Sequence, residues 1–162
     1  MMVDRPSQLR LDTKTLAETD ALAACVASML IPGSMITLDG DLGAGKTAFT
    51  QYLAKHLGVK EVVVSPTFTI IREYEDGILP IYHMDLYRLK ERDMQALGLD
   101  DYWYGNGVSV VEWSSRAAEY LPPERLQIDV SVDDEGLRHW TLQASGEPYE
   151  TWLRAIKKEM QG

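Results

Sequence analysis

The sequence has little that would place the protein outside a cell or in a membrane. Its single cysteine, Cys25, excludes an internal disulfide, the usual device of small secreted domains. No apolar run approaches the ~20 residues of a bilayer-spanning helix, and the opening residues MMVDRPSQLRLD lack the apolar segment of a signal peptide. We therefore expect a cytoplasmic protein without membrane contact, in which Cys25 is a small buried side chain and not a reactive thiol.

Positive charge is also scarce. The chain has 16 Lys and Arg against 25 Asp and Glu, which gives a formal net charge of −9. It lacks the broad basic surface of a stand-alone nucleic-acid-binding protein, so we expect no DNA binding. An anionic ligand must then be held by a local device. The acidic surface either favours docking to a basic partner or serves only solubility.

Repeats, low-complexity tracts and interdomain linkers are absent as well. With 162 residues, 45% of them hydrophobic and 25% charged, the composition is that of a soluble globular protein. This length is enough for one well-packed core and short for two. The sequence therefore predicts a single domain over residues 1–162.

What the chain does contain is the octapeptide GDLGAGKT at Gly40–Thr47. It fits G-x-x-x-x-G-K-[ST], the loop that wraps the phosphates of a nucleoside triphosphate. Its glycines let the backbone pass close to an anion, so that loop N–H groups point at phosphate oxygens. Lys46 supplies a cation for the β and γ phosphates, and Thr47 supplies a hydroxyl for Mg²⁺. The nucleotide-binding residues predicted here are Gly40, Asp41, Leu42, Gly43, Ala44, Gly45, Lys46, Thr47 and Ala48.

The segments on either side of the loop have the order that such a loop requires. The apolar run 34–39 is typical of a strand, and 47–57 is typical of a helix because Phe49, Leu53 and Leu57 share one face. The N-terminus of that helix would place free N–H groups and a positive dipole end at the phosphates. The alternative interpretation is an ordinary glycine-rich turn.

The remaining pattern predicts the fold class. Strands are expected at 8–12, 61–64, 68–75, 78–84, 108–111, 126–132 and 137–143, and helices at 15–30, 89–97, 100–104, 114–120 and 148–160. Asp76-Gly77 and residues 133–136 indicate hairpin turns. We expect an α/β, three-layer, P-loop NTPase-like domain. Its central sheet would be mixed and mostly parallel, with antiparallel hairpin strands and the loop strand at the centre.

Two carboxylates follow predicted strands, where a phosphate loop needs acidic partners for Mg²⁺ and the attacking water. Asp85 follows the strand ending at Met84, and Glu112 follows the valine-rich run 108–111. A carboxylate just past a buried strand lies at the sheet edge where phosphates would bind. The alternative for each is a solvated loop carboxylate.

Other polar residues allow two interpretations. Thr67, in the SPTF segment, either senses the γ-phosphate as switch loops do or lies in a simple strand-entry turn. His83 has no neighbouring Cys or His, so a hydrogen-bonded structural role is favoured over metal binding. Four arginines are candidates for a cation that stabilises the transition state, and for most of them a surface ion pair is the favoured role: Arg72, Arg88, Arg92 and Arg116. The absence of N-K-x-D favours ATP over GTP.

Together, GDLGAGKT, SPTF, HMDLYR and VEW make the sequence resemble the TsaE (YjeE) family, the small bacterial P-loop ATPases of tRNA threonylcarbamoyladenosine biosynthesis. The resemblance extends from Thr15 to about Leu121, with the four motifs in the family's order and spacing. The chain beyond Pro123 carries no motif.

The resemblance implies ATP and Mg²⁺ as cofactors and slow ATP hydrolysis. Lys46 and the loop amides would hold phosphates, and Thr47 would bind Mg²⁺, with Asp85 and Glu112 as the acidic groups of the metal and water site. Thr67 would belong to a nucleotide-sensitive loop. The implied partners are TsaD and TsaB, with tRNA contacted only indirectly, and ATP would drive assembly and turnover of that complex.

Three other functions remain open at this point. A small-molecule or nucleoside kinase would share the loop but needs an acceptor pocket and an arginine-bearing lid, and no lid segment is evident. A non-hydrolytic module would use ATP only to order the SPTF loop for docking. A self-sufficient tRNA-binding enzyme is disfavoured by the net charge of −9.

Overall fold

The computed structural model describes residues 7–41, 43–66, 69–117 and 119–161. Within these ranges the chain forms strands and helices in alternation at first, and a hairpin near the end. The strands are β1 (Ser7–Thr13), β2 (Met35–Gly40), β3 (Ile71–Tyr74), β4 (Ile81–Asp85), β5 (Val108–Glu112), β6 (Arg125–Val132) and β7 (Arg138–Ser145). The helices are α1 (Leu16–Ala27), α2 (Lys46–His56), α3 (Glu91–Ala96), α4 (Asp100–Trp103) and α5 (Tyr149–Gln161), with one 3₁₀ helix at Ser114–Ala117.

The strands form one seven-stranded sheet in the order β1-β7-β6-β2-β5-β4-β3. The four central strands β6, β2, β5 and β4 are mutually parallel, and the outer strands β3, β7 and β1 pair antiparallel. β2, which leads into the glycine loop, lies in the middle. The predicted mixed sheet with a central loop strand is therefore confirmed.

Helices cover both faces of this sheet. On one face α1, α2 and α5 pack together, and Phe49 of α2 contacts Trp140 of β7 with ring centroids 5.3 Å apart. On the other face the 3₁₀ helix is tied down where the Ser114 N–H donates to Asp39 Oδ1 at 2.9 Å. β5 is buried along its whole length between the layers, as its valine-rich sequence predicts. Among the helices of the described ranges, none has both the length and the apolar character that crossing a membrane requires.

Helix α1 begins as the sequence predicts and ends earlier. The Thr15 hydroxyl accepts the Glu18 N–H at 3.2 Å, which is the expected N-terminal cap. The helix stops at Ala27 and does not continue to residue 30. At this end the Ser28 hydroxyl donates to the Cys25 carbonyl at 2.7 Å and so satisfies an acceptor of the last turn.

The prediction of a strand at 61–64 is wrong, because side chains satisfy the backbone of this segment. The N–H groups of Lys60 and Glu61 both donate to Asp76 Oδ2, at 2.9 and 3.1 Å. The Gln51 amide donates to the Val63 carbonyl at 2.9 Å. In the sheet β2 is already flanked by β6 and β5, so residues 61–64 cannot pair with it.

The hairpin around Asp76-Gly77 has the predicted antiparallel pairing but not a two-residue turn. β3 and β4 are shorter than expected, and residues 75–80 connect them. Gly77 packs against the end of α2, where a Cβ would lie 2.6 Å from the Leu57 carbonyl oxygen. The aspartate and glycine of this dipeptide therefore serve tertiary contacts, which propensity cannot reveal.

The helix predicted at 114–120 is only the four-residue 3₁₀ helix Ser114–Ala117. Its start is fixed by Asp39, which accepts from both the backbone and the hydroxyl of Ser114. By contrast, the late hairpin of β6 and β7 and the final amphipathic helix α5 form as predicted.

The β1 edge of the sheet is held by two polar clusters. The Trp140 indole N–H donates to the buried Thr13 hydroxyl at 2.9 Å. Nearer to solvent, the two ring nitrogens of His139 face Asp12 at 2.7 Å and Asp133 at 3.0 Å. Hydrogen bonds to Asp12 and then to Asp133 raise the pKa of His139 above its ordinary value of 6.5.

Candidate active site

The glycine loop connects the central strand β2 directly to α2. Gly45 is the residue before the helix, has φ of 110°, and makes no side-chain cap. The first intrahelical bond runs from the Phe49 N–H to the Gly45 carbonyl, so the N–H groups of residues 46–48 have no acceptor within the helix. A helix start with free N–H groups and no capping side chain is a ready anion site.

The first glycine of the motif has a second task. Gly40 ends β2 opposite Val130 of β6, and a Cβ at Gly40 would lie 2.3 Å from the Val130 carbonyl oxygen. Only a residue without a side chain allows β2 and β6 to stay paired up to the start of the loop. The loop is therefore anchored to the neighbouring strand before it turns.

A pocket of about 220 Å³ lies at the carboxyl ends of the parallel strands. It brings together residues from the loop, from the start of α2 and from the ends of β4 and β5. Its lining residues are Gly43, Gly45, Lys46, Thr47, Ala48, Ser65, Asp85, Glu112 and Trp113. The predicted lysine, threonine and both predicted carboxylates thus share one cavity.

The ammonium group of Lys46 is turned back towards the protein. It donates to the Gly40 carbonyl at 2.7 Å, lies 3.7 Å from Glu112 Oε1, and lies 4.8 Å from the centroid of the Trp113 ring. The residue is 8% exposed, so these contacts are made in a largely dry environment. A phosphate at the loop would compete with them for the lysine.

The two carboxylates are neighbours because their strands are in register. Asp85 pairs with Glu112 across β4 and β5, and they are 4% and 3% exposed. Asp85 Oδ1 accepts the Tyr87 N–H at 3.0 Å, which fixes one of its oxygens. Both acids are therefore buried groups of the pocket, and the alternative of solvated loop carboxylates is wrong.

Trp113 adopts a backbone conformation that bulky residues rarely take, with φ of 57°. Such outliers cluster at functional sites, because the surroundings must hold them in place. The residue directly follows Glu112, and its ring contacts that of Tyr87 at 4.8 Å between centroids. Trp113 therefore lines the pocket beside the lysine, and the half-exposed Tyr87 ring packs against it.

Several predicted residues lie elsewhere. Gly40 and Asp41 line a neighbouring cavity of about 380 Å³ on the other side of Trp113, and the Ala44 side chain is fully buried under the loop. Leu42 and Thr67 lie outside the described residues, so the roles predicted for them stay predictions. Of the SPTF segment the structure describes Ser65 and Pro66, and Ser65 lines the pocket.

The arginine expected from sequence differs from the one that contacts the loop. No arginine of the described residues lines the 220 Å³ pocket, Arg88 is exposed, and the Arg116 side chain is not among those described. Instead, Arg138 at the start of β7 donates from Nε to the Ala44 carbonyl at 3.2 Å. Sequence reasoning missed it because no motif follows Pro123 and only the strand order brings β7 towards the loop.

The donor set suits a magnesium nucleotide better than a protein-only metal centre. In the described part of the chain, no three His, Cys, Asp or Glu side chains are grouped as a metal site requires. The pocket offers two hydroxyls, Thr47 and Ser65, and two carboxylates, Asp85 and Glu112. Magnesium in nucleotide sites typically takes one or two protein carboxylates, with phosphates and water completing its shell.

Comparisons of the sequence with known proteins agree on one family. A family model described as "Threonylcarbamoyl adenosine biosynthesis protein TsaE" matches residues 13–140, which extends past the motifs to β7. A Bacillus subtilis (strain 168) protein named tRNA threonylcarbamoyladenosine biosynthesis protein TsaE is 49% identical over 151 residues, covering 93% of this chain and 95% of that protein. A protein of the same name from Nostoc sp. is 41% identical over 142 residues, covering 85% and 86%.

A solved structure agrees with this sequence match. The crystal structure of YdiB from Bacillus subtilis aligns with a TM-score of 0.85 at 43% sequence identity, covering 97% of this chain and 99% of that one. The alignment therefore spans the whole sheet, including the β6–β7 hairpin that carries Arg138.

Proposed function

The chain belongs to the TsaE family, and on that premise we propose that it binds ATP with Mg²⁺, hydrolyses ATP slowly, and serves tRNA threonylcarbamoyladenosine biosynthesis. Its work would take place in the cytoplasm, on a tRNA-modifying complex containing TsaD and TsaB. One observation carries the ATPase proposal. The loop lysine, the loop threonine and two buried carboxylates line a single pocket at the start of α2.

The chain's own groups divide the task of holding the nucleotide. The free N–H groups at the start of α2 would bind phosphate oxygens, and Lys46 would leave the Gly40 carbonyl to bridge the β and γ phosphates. Thr47, Asp85 and Glu112 would hold the metal. Bound magnesium would neutralise charge on the phosphate oxygens.

Glu112 is the residue we assign to the attacking water. Its carboxylate is buried, lines the pocket, and has Oε1 near the loop lysine, so a water hydrogen-bonded to this oxygen would lie within the proposed nucleotide pocket. Phosphoryl transfer depends mainly on positioning and charge stabilisation, so orienting this water is the main contribution that a side chain can make.

We expect slow hydrolysis by the isolated protein because few cations line its pocket. Among the described residues, the lysine is the one basic side chain that lines the pocket. An arginine supplied by a partner accelerates such reactions by about 10³–10⁵. We therefore expect TsaD with TsaB to complete the site and raise the rate.

Calorimetry and a phosphate-release assay test the ATPase proposal. We expect Mg²⁺-dependent ATP binding that Lys46→Met abolishes, and slow hydrolysis that Glu112→Gln lowers to a small residual rate while much of the ATP affinity remains. Glu75→Gln is the matched control, since Glu75 is exposed and outside the pocket. The proposal fails if well-folded protein takes up no ATP, or if Glu112→Gln hydrolyses it at the wild-type rate.

A second experiment tests the partners. TsaD and TsaB from the same organism should be retained by the immobilised protein with ATP and Mg²⁺, and less so by Lys46→Met. Equal retention of both subunits without nucleotide would contradict ATP-driven assembly. A turnover of several ATP per second by the isolated protein, with no gain from the two subunits, would contradict the partner-supplied cation.

A further inference from the structure

His83 lies directly beneath the acidic pair of the pocket. It precedes Asp85 by two residues in β4, and alternate residues of a strand point to the same face of a sheet. Its partner in register is Val110, two residues before Glu112 in β5. His83 therefore lies on the same face of the sheet as Glu112, one side-chain position further from the carboxyl ends of the strands. Helix α2 packs on this face.

The contact between these side chains is close and buried. His83 Nε2 lies 2.6 Å from Glu112 Oε2, and the residues are 0% and 3% exposed. The other oxygen, Oε1, lies 3.7 Å from Lys46 Nζ. The two oxygens of the carboxylate thus have different neighbours, a ring fixed in the sheet and a lysine of the nucleotide loop.

The hydrogen-bond inventory selects one form of the ring. His83 Nδ1 is buried and has no hydrogen-bond partner among the described residues. A hydrogen at Nδ1 would be an orphaned buried donor, and it would leave a lone pair at Nε2 facing the carboxylate. The hydrogen therefore belongs on Nε2, where it is donated to Glu112.

We propose that His83 is a positioning residue that holds the Glu112 carboxylate with Oε1 available to the pocket. This assignment rests on the proposed ATPase function. A buried acid with one anchored oxygen has fewer orientations to lose when the nucleotide and water bind. Residues that orient a ligating or catalytic carboxylate in this way typically affect activity by 10- to 100-fold when removed.

Steady-state kinetics with two substitutions test the role. His83→Leu keeps an apolar volume and removes the donor, so kcat should fall by about 10-fold or more while KM for ATP changes by less than about 3-fold. His83→Gln offers an amide donor and should recover most of the rate. His56→Gln, on an exposed histidine at the end of α2, is the matched control and should leave both constants unchanged.

Coupling to Glu112 separates positioning from a general loss of structure. If His83 acts through Glu112, adding His83→Leu to Glu112→Gln should lower the residual rate no further. A further 10-fold fall in the double variant would overturn the assignment, as would a His83→Leu kcat within 2-fold of wild type. Failure of the wild type to hydrolyse ATP would overturn the proposed function itself, and is visible before any variant is compared.

A nitrogen NMR spectrum of the nucleotide-free protein gives a readout independent of activity. The His83 ring should carry its hydrogen at Nε2, and that proton resonance should move when Glu112→Gln is introduced. A hydrogen at Nδ1, or a ring resonance unaffected by Glu112→Gln, would overturn the assignment even if His83→Leu were too unstable to assay.

Discussion

Replacing Gly40 by alanine should destabilise the protein through the sheet and not through the loop. The new Cβ would lie 2.3 Å from the Val130 carbonyl oxygen and 3.0 Å from Val130 Cγ1. Carbon–oxygen contacts are normally ~3.3–3.6 Å, so β2 and β6 must separate by roughly 1 Å. The closer obstacle is a backbone atom, and therefore no side-chain rotation relieves the overlap.

Overpacking of this kind costs about 1–3 kcal/mol in the free energy of unfolding. In a domain of this size each kcal/mol lowers Tm by about 2–4 °C, so Tm should fall by about 2–12 °C. Gly40 also begins the loop, so its displacement should weaken Mg²⁺-dependent ATP binding by about 10-fold or more. A 10-fold loss of affinity corresponds to about 1.4 kcal/mol of binding free energy.

Urea unfolding and ATP calorimetry on the same variants separate these effects. Gly98→Ala is the matched control, because Gly98 has φ of 63° and its added Cβ would meet only Asp101 Oδ2 at 3.4 Å. It should lose about 1 kcal/mol from backbone strain alone and keep its ATP affinity. A Gly40→Ala protein within about 0.5 kcal/mol of wild type, with unchanged ATP affinity, would refute the packing argument.

Other predictions concern groups away from the pocket. Thr13→Val should cost about 1–3 kcal/mol in urea unfolding, because the Trp140 indole N–H loses its acceptor, and Thr13→Ser should cost less. The stabilisation that His139 contributes, measured against His139→Gln, should be complete below about pH 6.5 and lost as the pH rises through its raised folded-state pKa; an equal difference at about pH 6 and pH 9 would contradict this. Burial and then the Glu159 hydrogen bond raise the pKa of Cys25 to about 12, so a thiol reagent near pH 8 should label it only after unfolding, and rapid labelling of the folded protein would refute its burial.

The glycine-rich loop between β2 and α2 was predictable because its sequence pattern is local. GDLGAGKT, the apolar run before it and the periodic helix after it are contiguous, and the structure contains the strand, loop and helix within one residue of the expected bounds. The position of Glu112 was predictable for a related reason. Three of the four residues before it are valine, which fits a strand buried on both faces, and such a strand ends at the sheet edge where ligands bind.

Predictions failed where contacts with residues distant in sequence overrode the local pattern of a segment. Residues 61–64 have strand-like composition, but side chains from α2 and from the 75–80 connection satisfy their backbone. Asp76-Gly77 is a strong hairpin signal, yet both residues are recruited by other segments. Propensity amounts to a fraction of a kcal/mol per residue, and one tertiary hydrogen bond or close packing contact exceeds it.

The sequence by itself determined which groups the candidate site contains: a glycine-rich loop, a lysine, a hydroxyl and two carboxylates at the ends of strands. Tertiary structure alone decided which other groups touch them. His83 and Glu112 are 29 residues apart, and Arg138 and Ala44 are 94 apart. Each contact depends on strand pairing and order, which arise from burying both faces of one sheet at once, and no local stretch of sequence encodes that requirement.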